Sequence, residues 1–148
     1  MKIPFSAFIL LIICIFFSCS PENKENKDEM EILSVTDSFA TKYYTWRFKD
    51  AARFSDEECT KFLRFLSSNV NQKDIDVLTK SKEAPGFSVD SVEIKEADLA
   101  NVILNLTNIY QMDSLGTEPK LTPKTTHRLI LKKNNGKWQV NKIIDKDI

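Results

Sequence analysis

The sequence predicts an α+β domain in which N-terminal helices pack on one face of a curved antiparallel sheet. Three observations carry this expectation. Apolar residues between Glu31 and Lys80 recur at spacings of three and four, the period changes to two after Gly86, and Asn134-Asn135-Gly136 marks a hairpin between two alternating segments. The turn is the firmest of these, because a two-residue hairpin loop needs positive φ at both central positions and Asn-Gly adopts it at little cost. With Asn135 and Gly136 as the loop, Lys133 is expected opposite Trp138, Leu131 opposite Val140, Leu129 opposite Lys142 and His127 opposite Ile144. One face then collects His127, Leu129, Leu131, Trp138, Val140 and Ile144, with Lys142 discordant. The other carries Arg128, Ile130, Lys132, Gln139, Asn141 and Ile143. The first is expected to be the core face.

The N-terminus stands outside this fold. Lys2 precedes an apolar run from Phe8 to Phe17, too short for a membrane span of about 20 residues, which reads as an export signal. The run closes in Phe16-Phe17-Ser18-Cys19, which resembles a bacterial lipobox and departs from it at Phe16, where Leu is usual. The resemblance implies a lipoprotein signal peptide over 1–18, a lipidated Cys19 and a location in the bacterial cell envelope, on its periplasmic or its surface side. The other reading is an ordinary secreted protein cut near Ser20.

With Lys2 removed, 20 basic side chains face 21 acidic ones, a net charge of −1. That balance argues against a nucleic-acid partner, whose binding usually leaves a basic excess. The remaining length suffices for one core and not two, so 31–148 is expected to be a single domain. Cys59 is the only other cysteine after cleavage, so there is no disulfide framework, and one His with one Cys cannot complete a zinc ligand set. No stretch has the spacing of a calcium loop. Neither metal nor cofactor is expected.

Residues 19–30 hold no core-forming side chain before Met30 and are expected to be a flexible tether reaching roughly 18 Å. From Glu31 the residues Ile32, Val35, Phe39, Tyr43 and Trp46 form one helical stripe that ends near Trp46. Asp50 can cap a short turn carrying Ala51, Ala52 and Phe54. Ser55-Asp56-Glu57-Glu58 reads as a capping box opening a third helix, whose buried stripe is Cys59, Phe62, Leu63, Leu66 and Val70. Cys59 is read as core rather than reactive. A fourth helical piece spans Lys73 to Lys80 and ends before Pro85-Gly86. Val89 to Glu96 is β-branched but alternates poorly. Ala100 to Met112 alternates well, with Ala100, Val102, Leu104, Leu106, Tyr110 and Met112 on the inner face, and Asp113 to Lys124 is read as a long loop.

In this order of elements the domain resembles the nuclear transport factor two-like (cystatin-like) superfamily over nearly all of 31–146. The resemblance is carried by the long first helix, Phe48-Lys49-Asp50-Ala51-Ala52-Arg53-Phe54, the strand Ala100 to Met112, and the closing Asn-Gly-Lys-Trp-Gln-Val. It looks closest to small bacterial lipoproteins without assigned activity, whose third helix reads much like Phe62 to Val70. The resemblance implies a cone-shaped space between helices and sheet, where the superfamily's enzymes place an acid/base pair, typically Asp with Tyr or His. No motif here marks a catalytic Asp, so no catalytic residue is assigned.

Three functional readings follow. The first is a lipid-anchored binding or accessory domain that holds a small ligand or an envelope protein, with Tyr43, Trp46, Tyr110, His127 and Trp138 as pocket candidates. The second is an isomerase- or dehydratase-like enzyme with His127, at the mouth of the cone, as general base. The third is a self-association module, a homodimer formed through an outer sheet face bearing Ile103, Ile130 and Ile143. The bland alternative for the aromatics is plain core packing, and for His127 a surface position with no role.

Overall fold

A computed structural model describes residues 22–145; the segment expected to be a signal peptide, and Cys19, lie outside the described residues. Helix α1 (Glu22–Tyr43) is followed by α2 (Phe48–Ala51), a short 3-10 turn (Ala52–Phe54), α3 (Glu57–Asn69) and α4 (Gln72–Thr79). Strands β1 (Gly86–Glu96), β2 (Leu99–Gln111), β3 (Lys120–Asn134) and β4 (Lys137–Asp145) form one antiparallel meander in that order. The helices cover one face of this curved sheet, which is the α+β architecture the periodicity predicts. Between the layers lie Ile32, Phe39 and Ala40 of α1, Leu63 of α3, and Val102, Leu104, Leu106, Leu129, Leu131 and Val140 of the sheet. Burying each such leucine or isoleucine contributes roughly 2 kcal/mol. Among the described residues no helix is long and apolar enough to cross a membrane.

Helix α1 begins at Glu22, so the segment expected as a tether is helical from there onward. Its polar composition hid a tertiary contact. Asp28, nearly buried, accepts hydrogen bonds from Lys133 Nζ and from Trp138 Nε1 (3.2 Å), and Glu31 Oε1 accepts from the Trp138 backbone N–H (3.1 Å). Lys133 holds the Asp28 carboxyl below its ordinary pKa, against the opposing effect of burial.

The capping box expected at Ser55 does not form; α3 is capped one residue later, by a single side chain, because its N3 residue is Cys59 and has no carboxylate or amide to reach back. Asp56 is the N-cap, accepting from the Cys59 N–H (3.0 Å), while Ser55 Oγ donates to the Ala51 carbonyl. Cys59 is buried, and burial pushes its thiol up to about 11. Helix α4 is opened by a capping box of Asn71 with Asp74. Thr36, on the buried face of α1, is the one buried side-chain oxygen among the described residues without a hydrogen-bond partner.

Three departures from strict alternation shape the sheet. In β1 the pairing slips between Val89 and Ser91, so Phe87 and Val89 on one side of Asp90, and Val92 and Ile94 on the other, can all pack on the core. That bulge is why β1 alternates poorly in sequence.

The second departure lies in the middle of β2 and β3. Asn108 has φ +53° and stands across from Pro123, within a register that pairs Thr107 with Lys124 and Ile109 with Thr122. Proline cannot donate to the ladder, and Asn tolerates the left-handed region. Both strands change phase there, so Ile109 is buried and Tyr110 falls out of phase with it, contrary to the alternation read from Ala100 onward. This pairing also makes Lys120 to Lys124 the start of β3 and not part of a loop.

The third departure is in β4. The hairpin turn has Asn135 at φ +50° and Gly136 at φ +78°, and the expected pairs Lys133 with Trp138 and Leu131 with Val140 hold. Asn141 is then bulged, so Leu129 faces Ile143, Arg128 faces Ile144 and His127 faces Asp145. The discordant Lys142 thereby turns to the solvent side, and Ile143, expected on the outer face, packs against the core. Asn141 Nδ2 donates to Asp56 Oδ2 (2.6 Å) and Glu58 Oε2 (3.1 Å), and the Asp56 N–H donates to the Val140 carbonyl. The bulge fastens the start of α3 to the sheet.

Candidate functional site

At the C-terminal end of α1 the helical layer and the sheet diverge around a cavity of about 270 Å3. At ~30 Å3 per water in the liquid this is space for about nine waters, near the lower end of small-ligand sites. Its walls are aromatic and aliphatic. Tyr43, Trp46 and Phe48 stand on one side, Phe62, Leu66 and Val70 come from α3 and its end, and Met112 and Leu115 come from the loop after β2. The floor is polar and consists of Tyr44, Gln111 and His127, with Asp145 beside them.

The wall is set by how α1 stops. The Arg47 N–H donates to the Lys42 carbonyl (2.9 Å) and the Trp46 N–H to the Tyr43 carbonyl (3.0 Å), with Trp46 at φ +59°. This is a Schellman termination with tryptophan at the left-handed position that glycine usually takes. A bulky residue there costs about 1 kcal/mol or more. In return the turn directs the indole onto the cavity wall, where Nε1 donates to the Tyr110 carbonyl (3.3 Å) and the ring lies 6.0 Å from Phe48. Tyr43 packs against Phe39, Tyr44 and Phe48, with ring centroids 5.0 to 5.5 Å apart. Burial pushes its hydroxyl well above the ordinary tyrosine pKa.

The floor is one hydrogen-bonded row. Thr122 Oγ1 lies 2.9 Å from Gln111 Oε1, Gln111 Nε2 lies 3.1 Å from His127 Nε2, and His127 Nδ1 lies 2.9 Å from the Tyr44 hydroxyl. Asp145 Oδ1 is 3.3 Å from the same Nδ1. An amide NH2 has no lone pair to offer, so Gln111 Nε2 donates and His127 Nε2 is the bare nitrogen. Nδ1 therefore carries the proton, the tautomer that the neighbouring Asp145 carboxylate also favours. His127 is only 2 % exposed. Burial lowers its pKa below the ordinary value and Asp145 opposes this, so the ring is neutral at neutral pH. Tyr44 is held protonated, chiefly by burial.

The sequence-predicted site residues separate here. Tyr43, Trp46 and His127 border the cavity, but His127 lies at its floor and not at the mouth. Tyr110 borders it as well, with its carbonyl engaged by Trp46. Trp138 does not belong to it: the ring is buried toward the other end of α1, bonded to Asp28, with Lys133 Nζ 5.5 Å from its centroid. Sequence reasoning missed Tyr44, Gln111, Thr122 and Asp145. Ile32, Thr36, Ala40 and Tyr44 are spaced by four and all buried, a second row beside the expected stripe that the polar Thr36 disguised.

No protein-family model and no curated protein matches the sequence. Solved structures do match in shape. An NTF-2-like protein of unknown function from Shewanella oneidensis aligns with a TM-score of 0.55 at 11% identity, over 81% of this chain and 99% of its own. A function-unknown protein from Mycobacterium tuberculosis aligns with a TM-score of 0.55 at 9% identity, over 88% of this chain and 79% of its own. At such identities the likeness is one of fold: the chain has the NTF-2-like fold that the resemblance implied.

Proposed function

We propose that this chain is a lipid-anchored envelope domain whose cavity binds a small, largely apolar ligand. The observation that carries the binding half is a cavity with aromatic walls above a buried polar floor, an arrangement that favours small-molecule binding over a filled core. Binding is favoured over general-base catalysis because both ring nitrogens of His127 are engaged. The lone pair a base would use, on Nε2, already accepts from Gln111. Self-association through the outer sheet face has lost Ile143 from its patch, while Ile103 and Ile130 remain there, half-buried.

The two indoles supply the test. Trp46 borders the cavity and Trp138 lies at the other end of α1, so a fragment screen read by 1H–15N spectra carries its own control. Occupancy is expected to shift the Trp46 indole resonance and leave that of Trp138 in place. A screen to ~10 mM in which no fragment moves Trp46 selectively would dismiss the pocket. The anchoring half rests on Phe16-Phe17-Ser18-Cys19 closing the apolar run. Cells fed a labelled fatty acid are expected to label the wild-type chain and not Cys19→Ser, and equal labelling of the two would refute the anchor.

A further inference from the structure

The floor has a direction. Each donor in it meets the acceptor of the next group: the Thr122 hydroxyl donates to Gln111 Oε1, the Gln111 amide to His127 Nε2, and His127 Nδ1–H to the Tyr44 oxygen. Tyr44 is the last group in the row. Its oxygen is used as an acceptor, and among the described residues no group accepts its own proton. An unbonded hydroxyl proton on a buried tyrosine is a costly arrangement, of a kind that persists where something else accepts it. That proton stands at the floor of the cavity.

The charges around the cavity narrow the acceptor further. Among the described residues no lysine or arginine borders it, and the one charged side chain that does is the Asp145 carboxylate. An anionic headgroup would find no cation and one repelling charge. A cationic one would present donors to a tyrosine that itself needs an acceptor.

Resting on the ligand-binding reading above, we propose that Tyr44 addresses the ligand and that the ligand is a neutral molecule presenting one hydrogen-bond acceptor, a carbonyl or ether oxygen, on a small apolar body. His127 acts as a positioning residue, holding the Tyr44 oxygen as an acceptor so that its proton points onward. Because the three links are polarised in one sense, each strengthens the next, and the last donor is stronger than an isolated tyrosine hydroxyl.

A series of probes sharing a phenyl body separates the possibilities: ethylbenzene without a headgroup, acetophenone with a neutral acceptor, benzoate with an anion and benzylammonium with a cation. They are titrated into the chain from residue 19 onward carrying Cys19→Ser, which keeps every described helix and strand, and binding is read from the Trp46 indole resonance. Acetophenone is expected to bind about fivefold more tightly than ethylbenzene, the worth of roughly one net hydrogen bond, with benzoate weakest. Tyr44→Phe, which keeps the ring and removes the donor, is expected to bring acetophenone and ethylbenzene level. In the unsubstituted chain, the Tyr44 ring carbon bearing the hydroxyl is expected to shift with acetophenone and not with ethylbenzene, a readout independent of any loss of stability in the variant. Tightest binding by either charged probe, no preference for acetophenone in the wild type, or a preference that survives Tyr44→Phe would overturn the assignment while leaving the pocket intact. Failure of all four probes to move Trp46 would remove the binding reading itself.

Discussion

His127 is the only histidine in the chain, so its titration can be followed without interference from another imidazole. Its folded-state pKa lies below the unfolded value near 6.5, because burial disfavours the imidazolium more than Asp145 favours it. For a base shifted downward, the unfolded chain takes up a proton first. Stability is therefore undiminished above pH 6.5, falls as pH drops from there toward the folded pKa, and levels off below it. Urea unfolding at pH 7.5 and 5.5 is expected to show this loss in the wild type and not in His127→Gln. Parallel profiles for the two chains would contradict it. Asp28 has the opposite character as an acid and the same direction with pH. Its lowered pKa contributes stability above the ordinary carboxyl range that is lost only as pH falls through that lower value, well separated from the histidine window.

At the scale of elements, the type and order of every helix and strand could be read from spacing and turn chemistry, while their phases could not. Alternation in β2 is legible from Ala100 to Leu106 and misleading beyond, since Asn108 and Pro123 turn both strands over together. Nothing local distinguishes that asparagine from one in a regular strand; it is the proline across the ladder that makes the corner. The hairpin is instructive in another way. Counting back from Asn-Gly put His127 on the inner face correctly although the partner was wrong, Ile144 instead of Asp145. The face of a residue depends on alternation within its own strand, so a bulge at Asn141 changes who stands opposite without changing which way β3 points. The candidate site suffered more. It is built where phases change, at the end of α1, past the corner in β2 and at the end of β4, so Trp46 and His127 were legible and Tyr44, Gln111, Thr122 and Asp145 were not.

At the scale of the whole molecule, the proposed anchor site precedes one end of α1 in sequence and the cavity lies at the other end. If Cys19 is lipidated, the chain enters α1 at Glu22, three residues later, and the cavity lies at the far end, about 33 Å along a 22-residue helix. A rigid helix there leaves little of the free tether that composition alone predicts. Under that proposal it would carry the cavity end away from the point of attachment along the helix axis.

The same helix is tied to a single strand twice. Asp28 bonds Lys133 and Tyr44 bonds His127, so the sixteen residues between the helical ties, at ~1.5 Å each, must match the six between the strand ties, at ~3.3 Å each. The two lengths, ~24 Å and ~20 Å, agree within one turn of helix. Two rulers of different pitch are thus laid side by side and pinned at both marks, and their agreement is a matter of residue count as much as of residue identity. One alanine inserted between Ser34 and Val35 turns everything beyond it by ~100° and advances it by ~1.5 Å, so both ties cannot be made at once. Its melting temperature is expected to fall by at least ~10 °C, as for the loss of several core contacts. The same alanine between Lys24 and Glu25 lies outside the pinned interval and is expected to leave the melt within ~2 °C. Equal melts for the two insertions would mean that the strand does not set the length of the helix.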